Sequence, residues 1–203
     1  GSIGKVCARL LAKEVKNLTL VARDRSRLEQ LAATIMYESG LAVSISSDVK
    51  RTLSSAHVVV AVTSAVDSII GPHDLMPGAV VCDVSRPRNV SKQVFEQRND
   101  VLVIEGGVVK VPGQVKFNFN FGFPPGMAYA CMSETMVLAL EKRYESYTLG
   151  RDLSLKQVQN ISGLAEKHGF ELAGFRSFER AITYEEIAKI KANAKIKSEL
   201  AYA

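Results

Sequence analysis

Short apolar runs recur along this chain, each set off from the next by turn residues or by a stretch of helical periodicity. Leu18-Thr19-Leu20-Val21-Ala22, Ala42 to Ile45, Ala56 to Val62, Gly78 to Cys82 and Val101 to Ile104 each have the length of one strand. The longest of them lacks polar alternation, and a strand without alternation has no face to offer water. It belongs in a sheet covered on both faces, typically a parallel one with helices on either side. Helical stripes lie between the runs: Val6, Ala8, Leu10 and Leu11 in the segment from Gly4 to Glu14, then Leu28, Leu31, Ala32 and Ile35 in a segment reaching Tyr37. A short helix capped by Asp48 and another from about Ser91 to Gln97 follow. Strands alternating with helices predict a doubly wound α/β fold built on a mostly parallel sheet.

The texture changes after Gly106-Gly107. Val115-Lys116-Phe117-Asn118-Phe119-Asn120-Phe121 alternates apolar and polar residues and, with Val108 to Val111 across Pro112-Gly113, reads as an antiparallel hairpin able to extend the sheet edge. Pro124-Pro125-Gly126 then interrupts the chain, and the stripe Ala130, Met136, Val137, Leu140 predicts a long helix from Met127 to Tyr144. Further helices are predicted from Ser154 to His168, ended by Gly169, and from Tyr184 to Leu200. The last is lysine-rich without a wide apolar face, so loose packing is expected of it. Residues 1–125 thus read as the α/β domain and residues 126–203 as a helical segment packed on it.

Gly1-Ser2-Ile3-Gly4 stands directly before the first helix, where unpaired N–H groups and the helix dipole would hold a pyrophosphate. In a Rossmann-type dinucleotide fold such a turn follows a buried first strand, and none precedes it here. The expected sheet therefore lacks its first, normally central strand: upstream sequence has been removed, or lies outside this chain, or Gly1-Ser2 only mimics the motif. About 20 residues on, where this fold selects its cofactor, the chain carries Arg23-Asp24-Arg25-Ser26. Arginine and serine suit a ribose 2′-phosphate, favouring NADP(H) over NAD(H) with Arg23, Arg25 and Ser26 as contacts. The alternative is that Asp24 or Ser26 caps the next helix and the arginines are merely solvated. Thr63 and Ser64 end a strand at the carboxyl edge of the sheet and either line the nicotinamide side or form a plain connection.

Composition narrows the function classes. With 47% hydrophobic and 23% charged residues among 203, the chain is an ordinary globular protein. It has no apolar run of membrane-spanning length and no signal-peptide pattern, so a cytoplasmic address is expected. Cys7, Cys82 and Cys131 are too few and too scattered for a disulfide framework or a zinc site. The net charge of +5 is modest, and no aromatic residues interleave with the basic ones as a nucleic-acid stacking surface needs.

Several stretches carry resemblances to two groups of known families. Asp83-Val84-Ser85-Arg86-Pro87-Arg88-Asn89-Val90 resembles the loop in the nucleotide domains of glutamyl-tRNA reductases and relatives of shikimate dehydrogenase. Ile104-Glu105-Gly106-Gly107-Val108-Val109, the run Met127 to Met136 around Cys131, and Gly150-Arg151 followed by Glu166 to Phe170 are similar to cyanobacterial long-chain acyl-[acyl carrier protein] reductases. The likeness spans roughly residues 1 to 175; that family's acyl-binding region and first strand have no counterpart here, and the charged tail lies outside it. It implies NADPH, bound in part near Gly106, and a fatty aldehyde made through a cysteine thioester at Cys131, with an acyl carrier protein or acyl-CoA as donor. A helix start and nearby positive charge would favour that thiolate; from the residues alone, Cys131 reads as a buried helix cysteine. Tyr129 and His168 are weaker candidates for proton donors. A dehydrogenase independent of Cys131 and a non-catalytic NADP(H)-binding module are the alternatives.

Overall fold

The N-terminal half is built from parallel strands and the helices that connect them. The computed structural model describes residues 1–201 except Ser64, Val66, Asp67, Phe121, Gly150, Arg151, Asp152 and Glu179, with Leu200 and Ala201 described as backbone alone. Helix α1 (Ser2–Leu11) leads to β1 (Thr19–Val21), α2 (Arg25–Ser39), β2 (Ser44–Ser46), α3 (Val49–Leu53) and β3 (Val58–Ala61). Then come β4 (Val80–Asp83), α4 (Lys92–Gln97) and β5 (Leu102–Glu105). Side chains set the helix starts: Asp24, Asp48 and Ser91 accept a backbone N–H of the first turn of α2, α3 and α4, satisfying donors the helix itself cannot.

All strand pairs in this half are parallel, confirming the α/β class. They fall into two blocks, β1 with β2 and β3-β4-β5 in that order, with no ladder between them among the described residues. Helix α1 links the blocks. Its Ala8 and Ala12 join Leu20, Leu28 and Ile35 in one core, while a Cβ at Gly4 would lie 2.9 Å from Val62 just beyond β3. Register places Val59, Val81 and Val103 in one row and Ala61, Asp83 and Glu105 in the next, on the face that packs with Leu53, Val90 and Val94 into the main core. The expectation of burial on both faces holds for that face only. On the other, Val80, Cys82, Leu102 and Ile104 are half-buried and Val58 is 64% exposed.

Beyond Gly107 the structure corrects the sequence reading. The strand β6 (Val108–Lys110) pairs antiparallel with β7 (Met127–Tyr129), not with the alternating stretch Val115–Phe121; no strand forms in the described residues there, and Asn118 takes a φ of 53°. Helix α5 accordingly covers only Ala130–Leu140, because Met127 to Tyr129 are drawn into the ladder. Helix α6 (Leu155–Lys167) opens with a reciprocal capping box between Ser154 and Gln157, and β8 (Glu171–Leu172) adds to the other edge of β6. A two-residue pair, β9 (Arg176–Ser177) with β10 (Arg180–Ala181), leads to α7 (Tyr184–Ala201).

The loose packing expected of α7 is also corrected, since polar contacts hold it where an apolar stripe does not. Asn193 Nδ2 donates to Asn99 O at 2.9 Å, and Lys197 Nζ reaches Asp100 at 2.8 Å. Ala194 packs by Gly78. Asp100 is fully buried and also bonded by Arg98 at 2.8 and 2.9 Å. Burial opposes its ionisation, but the Arg98 and then the Lys197 hydrogen bonds outweigh that and hold its pKa at about 2, against 3.8 ordinarily. A folded-state pKa below the unfolded one contributes stability that is present above the unfolded value and lost as pH falls towards the folded one. Replacing Asp100 with Asn should cost on the order of 2 kcal/mol at pH 7, and the gap to the parent should close between about pH 4 and pH 2 in denaturant titrations. A gap independent of pH would remove the ion cluster from the account.

Candidate functional site

The carboxyl ends of the parallel strands gather most of the candidate residues. Asp83, the last residue of β4, is buried and accepts three backbone N–H groups, from Ser85 at 3.0 Å, Asn89 at 2.7 Å and Val90 at 2.9 Å. The following loop is thereby wound around one carboxylate, through a cis Arg86–Pro87 bond. Ser85 donates its hydroxyl to Asn89 Oδ1 at 2.7 Å, and Thr63 N–H donates to the same oxygen at 3.3 Å, joining the loop after β4 to the one after β3. Beside Asp83 in register, buried Glu105 pairs with the Arg88 guanidinium. The loop that carried the family resemblance therefore serves first to build this edge.

The glycine turn lies at the start of α1. Gly1 is the N-cap without a side-chain cap bond, Ser2 is half-buried, and Ile3 is exposed. Gly4 lets α1 approach the end of β3, which is the helix-to-strand contact such a turn requires. At the end of β1, Asp24 is occupied: it caps α2 through Arg27 N–H at 3.1 Å and pairs with the Arg27 side chain at 3.0 Å. Arg25 pairs with Glu29 at 2.9 Å, whereas Arg23 and Ser26 are exposed and Arg23 makes no ion pair among the described residues. A cavity of about 390 Å³ opens between α1 and α2, lined by Ser2, Lys5, Arg9, Arg27, Gln30 and Thr34 among others. Lys5 and Arg27 were not singled out from the sequence; the signal was their helical spacing from Ser2 and from Arg23.

Cys131 lies close to this edge. Ala130 N–H donates to Gly107 O at 2.8 Å, so the first turn of α5 abuts the end of β5. Cys131 is exposed, the opposite of the buried helix cysteine read from the residues alone. Gly106 is required by crowding: a Cβ there would meet Val84 at 2.9 Å and the Cys82 sulfur at 3.7 Å. Burial raises the Cys7 and Cys82 thiols, the latter also through the charge of Cys7 and of Asp83, which leaves Cys131 as the solvent-facing thiol. Tyr129 precedes α5 and stacks edge-on with Phe123 at 4.8 Å. His168 is elsewhere. Its Nε2 lies 2.6 Å from Glu141, just past the far end of α5, roughly 15 Å from Cys131 at 1.5 Å per helical residue. Ser64, also expected at the site, lies outside the described residues. Among those residues there is no metal-binding cluster, and no helix is long and apolar enough to cross a membrane.

Comparison with known proteins fits this assembly. The model of the shikimate/quinate 5-dehydrogenase family matches residues 1–105, from α1 through the end of β5, and the chain belongs to that family. It is also 34% identical over 195 residues to the aminotransferase PigE of Serratia sp. (strain ATCC 39006). That alignment takes in 94% of this chain but 23% of the relative, so the chain spans about a quarter of that protein's length. The dehydrogenase side of the resemblance is thus supported, while the acyl-[acyl carrier protein] reductase side receives no support; Cys131 and Gly106 lie beyond the family match.

The close contact at Gly4 yields a prediction. Gly4→Ala places a methyl group against the branched Val62 side chain, and overpacking of this kind costs about 1–3 kcal/mol. The variant should melt at lower temperature; an unchanged melting temperature would show that α1 does not rest on β3.

Proposed function

We propose that this chain is the NADP(H)-binding part of an oxidoreductase of the dehydrogenase type. The observation that carries the reading is the division of labour at the end of β1, where Asp24 is taken by its cap and by Arg27 while Arg23 and Ser26 are exposed and Arg23, among the described residues, is without an ion pair. A carboxylate available to a ribose diol suits NAD(H); an engaged carboxylate beside a free guanidinium and a hydroxyl suits a 2′-phosphate. The cavity between α1 and α2, to which Lys5 brings a cation without an ion pair among the described residues, supports the same choice. The α1 N-terminus with Gly1, Ser2, Ile3 and Gly4 would receive the pyrophosphate, and Thr63, Ser64 and Gly106 would border the nicotinamide half. When bound, NADP(H) supplies or accepts a hydride; the protein's part is to orient it at the carboxyl edge and close one side of it to water. The family membership supports the cofactor class, and the setting expected for such an enzyme is the cytoplasm.

One observation favours a narrower reading. Cys131 is an exposed thiol in the first turn of a helix, beside the end of β5, where backbone N–H groups favour an anion. There it would attack the carbonyl carbon of an acyl thioester, and the carbon–sulfur bond to the carrier would break, releasing the carrier thiol, which takes up a proton. Hydride delivery to the resulting acyl-cysteine breaks its carbon–sulfur bond and gives an aldehyde and the free thiolate. The donor would be an acyl carrier protein or acyl-CoA, and a net charge of +5 suits either anion. The name of the relative, an aminotransferase, supports this reading in one respect: transamination consumes a carbonyl compound, and an aldehyde is one.

Two measurements on the full-length protein check these readings. The Arg23→Ala, Ser26→Ala double variant should raise the NADPH dissociation constant by roughly 10- to 100-fold, the worth of charge-assisted hydrogen bonds, and leave NADH nearly unchanged; equal effects on both would sink the 2′-phosphate assignment. Incubation with an acyl thioester followed by mass spectrometry should locate an adduct on Cys131 that Cys131→Ser lacks. An unmodified Cys131 alongside normal NADPH binding would return the protein to a thiol-independent dehydrogenase.

A further inference from the structure

Asn89 is 0% exposed and ties three segments together. Its N–H donates to Asp83, its carbonyl accepts the N–H groups of Ile69 at 2.9 Å and Ile70 at 3.0 Å, and its Oδ1 accepts from Thr63 N–H and the Ser85 hydroxyl. A backbone N–H can only donate, so the Thr63 contact fixes which end of the amide is the oxygen. The other end, Nδ2, carries two hydrogens and has no partner among the described residues. A buried donor left unpaired opposes folding, so in a native protein it is met by an ordered water or by a bound ligand.

The place of this donor says what that partner is. Asn89 sits in the loop leaving β4 and is bonded to Thr63, two residues past the end of β3. With the adenosine half at the end of β1 and the pyrophosphate at α1, the remaining half of a dinucleotide falls over β3 and β4. We propose that Asn89 Nδ2 is a preset donor for the carboxamide oxygen at the nicotinamide end of the cofactor. The inference rests on the NADP(H) reading above. The amide is covered by the loops after β3 and β4 and held in orientation by Thr63 and Ser85.

The test compares two ligands that share the adenosine half: NADP⁺ and 2′,5′-ADP, which has no nicotinamide. With the full-length protein and isothermal calorimetry, Asn89→Ser should weaken NADP⁺ by about 3- to 10-fold, the worth of one neutral hydrogen bond, and leave 2′,5′-ADP unchanged. Ser85→Ala, which removes one of the two donors orienting the amide together with a 3.2 Å contact to Ala61 O at the end of β3, should shift the same ratio in the same direction and serves if Asn89→Ser does not fold. Equal weakening of both ligands, or none, would overturn the proposal by giving Asn89 a purely structural part. A parent protein that binds neither ligand overturns the cofactor reading and this inference with it, whereas one that binds both with unaltered ratios in the variants overturns this inference alone.

Discussion

A single buried carboxylate organises the edge on which every functional reading depends. Asp83 accepts three backbone N–H groups from the loop that follows it, and by doing so it converts a stretch of exposed polar chain into a fixed wall at the end of β4. A carboxylate taken out of water needs such partners, and its in-register neighbour Glu105 needs its own, which Arg88 provides. Two like charges side by side in a sheet would otherwise repel. The arrangement holds because each acid has a separate source of positive charge or donated hydrogen.

From that edge the rest follows by contact. Asn89 carries the order of the β4 loop to Thr63 and hence to the end of β3; Gly4 carries it to α1; Gly107 carries it to α5 and Cys131. Residues from five separate segments meet within a few hydrogen bonds of one another. The opposite end of the sheet is held differently, by Asp100 with Arg98 and Lys197, which clamps α7 where the strands begin. One end is therefore stiffened by helix docking, and the other by loops wound on Asp83 and Asn89.

The parallel strands were legible because runs such as Val58–Ala61 and Val80–Asp83 are too apolar for any other place, and the helix starts because Asp24, Asp48, Ser91 and Ser154 are caps by chemistry. The antiparallel unit was not. Met127-Ala128-Tyr129 shares its apolar character with the helix it abuts, so periodicity merged them, and only pairing with Val108–Lys110 separates them. The docking of α7 was hidden because it is made by Asn193 and Lys197, residues that read as solvated. Arg23, Ser26 and the glycine turn were singled out as candidates by spacing. Lys5 and Arg27 were not, since they meet only when α1 lies along α2. His168, a weak proton-donor candidate whose place before a glycine reads first as a helix end, is the C-cap of α6 and lies against Glu141.

The dinucleotide proposed above would cross the carboxyl ends of both parallel blocks. Hydrogen–deuterium exchange of the full-length protein with and without NADP⁺ tests this most directly. Protection is expected at the start of α1, at residues 22–27 after β1 and in the loops after β3 and β4, with α6 and α7 unchanged. Protection confined to other surfaces, or none at saturating NADP⁺, would contradict it.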